Sequence, residues 1–119
     1  MSQGQPRSRL QDEKEAPIKY GDVFNVSGNL ASKPIAPQDA AMMQTAENMV
    51  LGQTQKGRAA AVMQAAATRN ERAGVVGHQD FTDLAGDQGV DVKEIDVAGT
   101  RIITESVAGQ VNSFLVITY

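Results

Sequence analysis

One histidine, no cysteine and a run of acidic residues are what this chain offers for chemistry. His78 lies in Gly77-His78-Gln79-Asp80-Phe81-Thr82-Asp83, where an imidazole and the carboxylates of Asp80 and Asp83 have the types to ligate a metal ion. No second histidine reinforces that set, so a solvated loop histidine is the expected state. Acidic residues continue over 80–96 as Asp80, Asp83, Asp87, Asp91, Glu94 and Asp96 against Lys93. Carboxylates at short spacing suit a hard cation, which makes a module binding a metal ion or small polar ligand the alternative reading. Their order lacks the alternating Asp or Asn and the glycine of an EF-hand, and a hydrated loop is expected instead. Gly86-Asp87-Gln88-Gly89 lacks the Gly-Lys-Ser/Thr ending of a phosphate cradle. With no thiol and a lone imidazole, no serine has an activating partner. The expectation is a non-enzyme with no catalytic residues, no bound metal and no cofactor.

Methionine is the other distinctive type. Met42, Met43, Met49 and Met63 carry flexible thioether side chains that adapt to many apolar partners. They are the candidate contact residues of a helical face. The simpler expectation is that they face one another between two helices, and both readings hold if those helices separate during drying.

Composition narrows the class further. The 119 residues suit one small domain, with 41% hydrophobic residues of which sixteen are alanine, five aromatic residues and no tryptophan. A core of Ala, Val and Met buries less area per residue than one of Leu, Ile and Phe, so marginal stability is expected. Lack of cysteine removes disulfide scaffolds, cysteine-ligated zinc and iron–sulfur clusters. A formal charge of −3 argues against a nucleic-acid binder. No stretch of about eighteen apolar residues exists to span a membrane, and the opening residues lack the apolar run of a secretory signal. Cytoplasm, nucleus or both are the expected locations.

The elements that position these residues emerge from periodicity. Residues 1–16 contain a single leucine among polar residues and are expected to be a disordered tail, leaving 17–119 as a single domain. Residues 17–36, broken by Gly21, Gly28 and Pro34, read as a short extended segment around Val23–Val26 followed by loop. Pro37 and Asp39 open a helix near 37–51, with Ala40, Met43, Ala46 (or Glu47) and Val50 on one stripe and Met42 and Met49 beside it. A second helix near 58–72 aligns Ala59, Val62, Met63, Ala66 and Ala67. Ala40–Ala46 matches Ala60–Ala66 at five of seven positions, so the two helices look like copies that fold back as an antiparallel hairpin. Residues 73–99 read as Gly- and Asp-rich loop with a short helical turn after Thr82. Two β-branched runs around Ala108-Gly109 predict a β-hairpin near 100–119. That hairpin needs the helices, or the Val23–Val26 strand, to be stable. The fold class is therefore α+β: an Ala/Met-rich antiparallel helical hairpin with a small antiparallel β element.

Tyr20-Gly21-Asp22-Val23-Phe24, the stretch Pro34-Ile35-Ala36-Pro37-Gln38-Asp39-Ala40-Ala41-Met42-Met43-Gln44-Thr45-Ala46-Glu47, and Gly52-Gln53-Thr54-Gln55-Lys56-Gly57 occur in this order, and the second copy Ala59–Asn70 comes after them. With these motifs the chain, from about Pro17 to Tyr119, resembles the seed maturation protein domain of plants, the late embryogenesis abundant group D-34. One departure is Arg58, where the family often has a second glycine after Gly57. The resemblance implies a role in late seed development and desiccation tolerance. It lends no catalytic residues. The negative charge, the polar tail and the adaptable Ala/Met helices in turn lead to an expected protection by weak contact with non-specific client proteins or their hydration shell.

Overall fold

The computed structural model describes residues 17–52 and 59–118. The expected tail over 1–16 and position 58 of the second helix lie outside the described residues. The order is α1 (Tyr20–Val23), α2 (Gly28–Ala31), α3 (Pro37–Leu51), α4 (Ala59–Arg72), α5 (Asp83–Gln88), β1 (Val90–Val97), β2 (Thr100–Val107) and β3 (Gln110–Thr118). The class is α+β, with a three-stranded antiparallel sheet of order β1-β2-β3.

The stretch 17–36 is not a strand. Tyr20–Val23 is one helical turn, opened where the Asp22 carboxylate accepts from the Lys19 N–H at 2.9 Å. Gly21 lies so close to Ala31 that a Cβ there would sit 2.9 Å from the Ala31 Cβ, so α1 and α2 can touch only with glycine at this point. Tyr20 N–H donates to Lys33 O at 3.0 Å and Ile35 N–H to Ile18 O at 3.1 Å, closing 18–35 into a strap. Val23, Phe24 and Val26 suggest a strand by type, but the buried phenol of Tyr20 sets the local turn.

Helix α3 spans the expected residues, with Pro37 at its start and Gly52 at φ +74° ending it. Its buried stripe is Asp39, Ala40, Met43, Glu47 and Leu51, so of the two expected positions Glu47 is the buried one and Ala46 is half-buried, while Leu51 takes the inward place expected of Val50. In α4 the buried positions are Ala59, Ala60, Met63, Ala66, Ala67 and Asn70, and Val62 faces outward. The two helices pack together: Gln64 Nε2 donates to Gln44 Oε1 at 2.6 Å, joining equivalent positions of the repeated segment. Five buried alanines of these two helices, Ala40, Ala59, Ala60, Ala66 and Ala67, bring the backbones close, and Met43 and Met63, both fully buried, fill the space they leave.

The acidic stretch over 80–96 is not one loop. Thr82 caps α5 by accepting from Ala85 N–H at 3.2 Å, as the short turn expected after Thr82 requires. From Val90 the chain is strand, and the expected hairpin is the second half of a three-stranded meander. The Ala98-Gly99 and Ala108-Gly109 turns both place two residues at positive φ (45° and 83°, 51° and 80°), the tight hairpin geometry whose twist matches that of the strands. One bulge lies between β2 and β3, where Glu105 faces Ser113 and Ser106 faces Val111, leaving Asn112 extra. Val92, Ile103, Glu105 and Val107 turn toward the helices, with α3 lying against β1.

Candidate functional site

Three buried polar clusters hold the helices in place, and each sets acids or an amide against backbone groups. Asp39 is fully buried. Its Oδ2 accepts from the Tyr20 hydroxyl at 2.8 Å and the Ala36 N–H at 3.4 Å, and its Oδ1 accepts from the Thr82 N–H at 2.8 Å. One carboxylate thus joins α1, the start of α3 and the entry to α5. Burial pushes the Asp39 carboxyl up, against the opposing pull of those three donors. Burial, then the Asp39 charge, pushes the Tyr20 phenol far above its ordinary range, so it remains a hydrogen-bond donor.

Asn70, on α4, is the second cluster. Its Oδ1 accepts from the Ile18 N–H at 2.8 Å, while its Nδ2 donates to Ile18 O and Ile35 O, both at 2.9 Å. It binds both ends of the 18–35 strap to the second helix, using the amide as a neighbouring strand would use its backbone.

The third cluster is a carboxyl pair. Glu105 Oε1 accepts from the Ala59 N–H at 2.9 Å and Glu47 Oε2 from the Ala60 N–H at 3.0 Å. Both acids are buried, at 1% and 7% exposure, on the first turn of α4, where a helix favours negative charge. Burial, then hydrogen bonding to Glu105, pushes the Glu47 carboxyl up to about 8, against the Ala60 N–H. Burial thus favours the protonated, uncharged form of the Glu47 carboxyl at neutral pH.

The residues singled out in the sequence lie elsewhere or apart. His78 is exposed, with Nδ1 3.1 Å from Glu71 Oε2. Asp80 accepts from the Gly77 N–H at 2.8 Å. Asp83 pairs with Lys33 at 3.3 Å, and that ammonium holds its carboxyl below the usual range. Asp91, Lys93, Glu94 and Asp96 are spread along β1, where Glu94 and Asp96 pair with Arg101. Among the described residues, no group of three or more His, Cys, Asp or Glu side chains converges as a metal site. The acidic run is divided among a turn, a helix and a strand, and the reading of a metal-binding acidic loop has no geometry behind it.

The methionines divide as well. Met43 and Met63 are fully buried, Met42 is half-buried and Met49 is 80% exposed. Met42 and Met49 line a shallow hollow of about 350 Å³ with Gln38, Ala41, Thr45 and Ala46. An adjoining hollow of about 390 Å³ shares Gln38 and Met42 and adds Gln79, Phe81 and Gly86. Phe81 is 58% exposed. A row of soft, apolar groups with a few amides thus runs along the outer side of α3. Sequence reasoning misses Phe81, since it places that ring in a loop with no partner. It also misses Glu105 and Asn70, each of which looks like an ordinary surface residue by type. Glu47 leaves a signal, an acid at a stripe position.

The seed maturation protein family profile matches residues 18–73, the strap and both long helices. That segment is a seed maturation protein domain. The chain is 75% identical over 115 residues to late embryogenesis abundant protein D-34 of Gossypium hirsutum, covering 93% of this chain and 44% of that protein. Late embryogenesis abundant proteins 31 and 32 of Arabidopsis thaliana are 59% and 55% identical over 111 residues, again 93% of this chain and 41% of each relative. The chain thus spans less than half the length of these relatives. No solved structure matches it. All three buried clusters lie within the seed maturation domain or tie it to α5 and the sheet, since Glu105 and Thr82 reach it from beyond residue 73. Among the described residues no helix is long and apolar enough to cross a membrane.

Proposed function

We propose that this chain limits damage to other macromolecules during seed maturation and water loss, by weak contact and without turnover. The observation that carries the reading is the outer side of α3, where Met42, Met49 and Phe81 line two joined hollows open to solvent. Thioether and phenyl groups there offer modest apolar contact without demanding one shape of partner. The late embryogenesis abundant names of the relatives support the same role. The partners are non-specific client proteins or their hydration shell, in cytoplasm, nucleus or both. A net charge of −3 favours solubility at the high concentration a stoichiometric protectant requires.

In the finer reading, α3 and α4 act as one Ala/Met-rich antiparallel hairpin, with Met43 and Met63 inside and Met42 and Met49 outside. Drying favours it, because removing water removes the competitor for backbone hydrogen bonds in alanine-rich helices. The test dries and rehydrates a labile enzyme with this chain or with an equal mass of serum albumin. Recovery above the albumin control is expected, and its loss in a Met42→Asp, Met49→Asp variant that keeps its helical signal. Recovery equal to albumin removes the proposal.

A further inference from the structure

The two edges of the sheet differ in a way that bears on self-association. Strand β1 carries Asp91, Lys93, Glu94 and Asp96, so both of its faces present charge at the edge. Charged side chains are how an edge strand resists pairing with another chain. Strand β3 has no such guard: from Ser106 to Thr118 there is no charged residue and no proline. Among the described residues β3 is hydrogen-bonded to β2 on one side and to no strand on the other. Its one bulge, at Asn112, lies near its start, and Gln110 there is tied by its side chain to Ser27. Beyond the bulge the strand stays extended and largely apolar. Phe114 is 62% and Val116 49% exposed on the outer face, with Leu115 and Ile117 half-buried on the inner.

We propose that β3 pairs antiparallel with the β3 of a second copy, joining two three-stranded sheets into one of six strands about a twofold axis. The free N–H and C=O groups of an edge are satisfied by another strand, not by a lipid or a polar ligand. A second copy fits because an uncharged strand meets an uncharged strand, with Phe114 and Val116 beside their own counterparts on one face and Leu115 and Ile117 on the other. The head-to-tail alternative, β3 on the β1 of another copy, sets the charges of β1 against those apolar groups and would extend without limit. The guarded β1 edge therefore closes the assembly at two. The surface is separate from the outer side of α3, and the inference does not rest on the protective role.

Sedimentation velocity on the full chain over a wide concentration range is the test, joined by amide hydrogen exchange of β3. A reversible monomer–dimer equilibrium is expected, and the β3 amides that point away from β2 should gain protection as concentration rises. Phe114→Lys and Val116→Lys each bring two like charges near one another on one face of the joint, directly opposite or on the diagonal, and should weaken association about tenfold or more. Ile95→Lys lies on the same outer face at the far edge, and should leave it unchanged. A monomer at every concentration overturns the proposal. So does equal sensitivity to Ile95→Lys, which indicates stacking of faces, and so does growth into open filaments. Because the exchange readout needs no variant, a substitution that unfolds the chain does not protect the idea.

Discussion

Helix α3 presents the same residue types on two sides and uses them in opposite ways. Inward, Met43 is fully buried against α4, and Asp39 and Glu47 accept hydrogen bonds from backbone groups of other segments. Outward, Met49 is 80% exposed and Met42 lines an open hollow. Thioether chemistry is identical on both sides. The difference lies in what surrounds each group: inside, one partner arrangement is imposed by close packing, whereas outside none is, and the side chain remains free to adapt.

The contrast between the two sides is tested most severely at the methionines. Met43→Asp buries a charge with no donor facing it, and should cost about 3–5 kcal/mol, enough to unfold a small domain. Met49→Asp should change stability by less than about 0.5 kcal/mol. Urea denaturation followed by circular dichroism reads both, and equal midpoints would erase the distinction between the two sides.

Next in size is Asp39→Ala, which strips the acceptor from the Tyr20 hydroxyl and the Thr82 N–H while both stay buried. A loss of about 3 kcal/mol is expected. Asp39→Asn keeps an oxygen for one of the donors and should lose less. The same denaturation midpoint measures it, and tyrosine absorbance reports whether the phenol becomes solvent-exposed.

The carboxyl pair makes the inward side dependent on pH, which the outward side is not. Glu47 binds a proton in the folded state up to about pH 8, while the unfolded chain releases it near the ordinary value of 4.5. Between those values the folded state holds more protons, so stability falls as pH rises through the window and is greatest toward its acid end. Asp39, also raised by burial, acts in the same direction from a lower starting value. Glu47→Gln should flatten the pH dependence of the denaturation midpoint between about 5 and about 8, because a neutral amide takes the place of a carboxyl that titrates there. A slope unchanged by the substitution would assign the effect to another group.

The smallest effect lies in the turns that hold the sheet beneath α3. Ala98 adopts φ +45°, which an alanine enters at a cost. Ala98→Asn, giving Asn before Gly99, should stabilise the domain by about 0.5–1 kcal/mol. Thermal melting checks the sign, and a lower melting temperature would show that the turn has another constraint.

Much of this architecture is legible from local chemistry. Helix α3 is marked by Pro37, Asp39 and Gly52, because a proline suits a helical start and a glycine its left-handed end. The repeat of Ala40–Ala46 in Ala60–Ala66 marks two helices of like character, and Ala108-Gly109 marks a hairpin. Strand β1 is equally marked, by the same Ala-Gly dipeptide at 98–99, but its four charges suggest a loop. They are compatible with a strand because an edge has solvent on one side and tolerates charge there. The strap 18–35 goes the other way, since short apolar runs give no periodicity to separate strand from helical turn.

Helices α3 and α4, the hairpin at Ala108-Gly109 and the α+β class are written in the chain itself, since each depends on neighbours within a few residues or on motifs in order. Which polar residues are buried, and what they bind, emerges only from the packed molecule. Asp39 meets Thr82 across forty-three positions, Glu105 meets Ala59 across forty-six, and Asn70 meets Ile18 across fifty-two. A carboxylate's type says that it needs donors when buried, but not whether it is buried or where donors are. That depends on which backbone N–H groups the packed helices leave without partners, and those become known only when the chain has closed on itself.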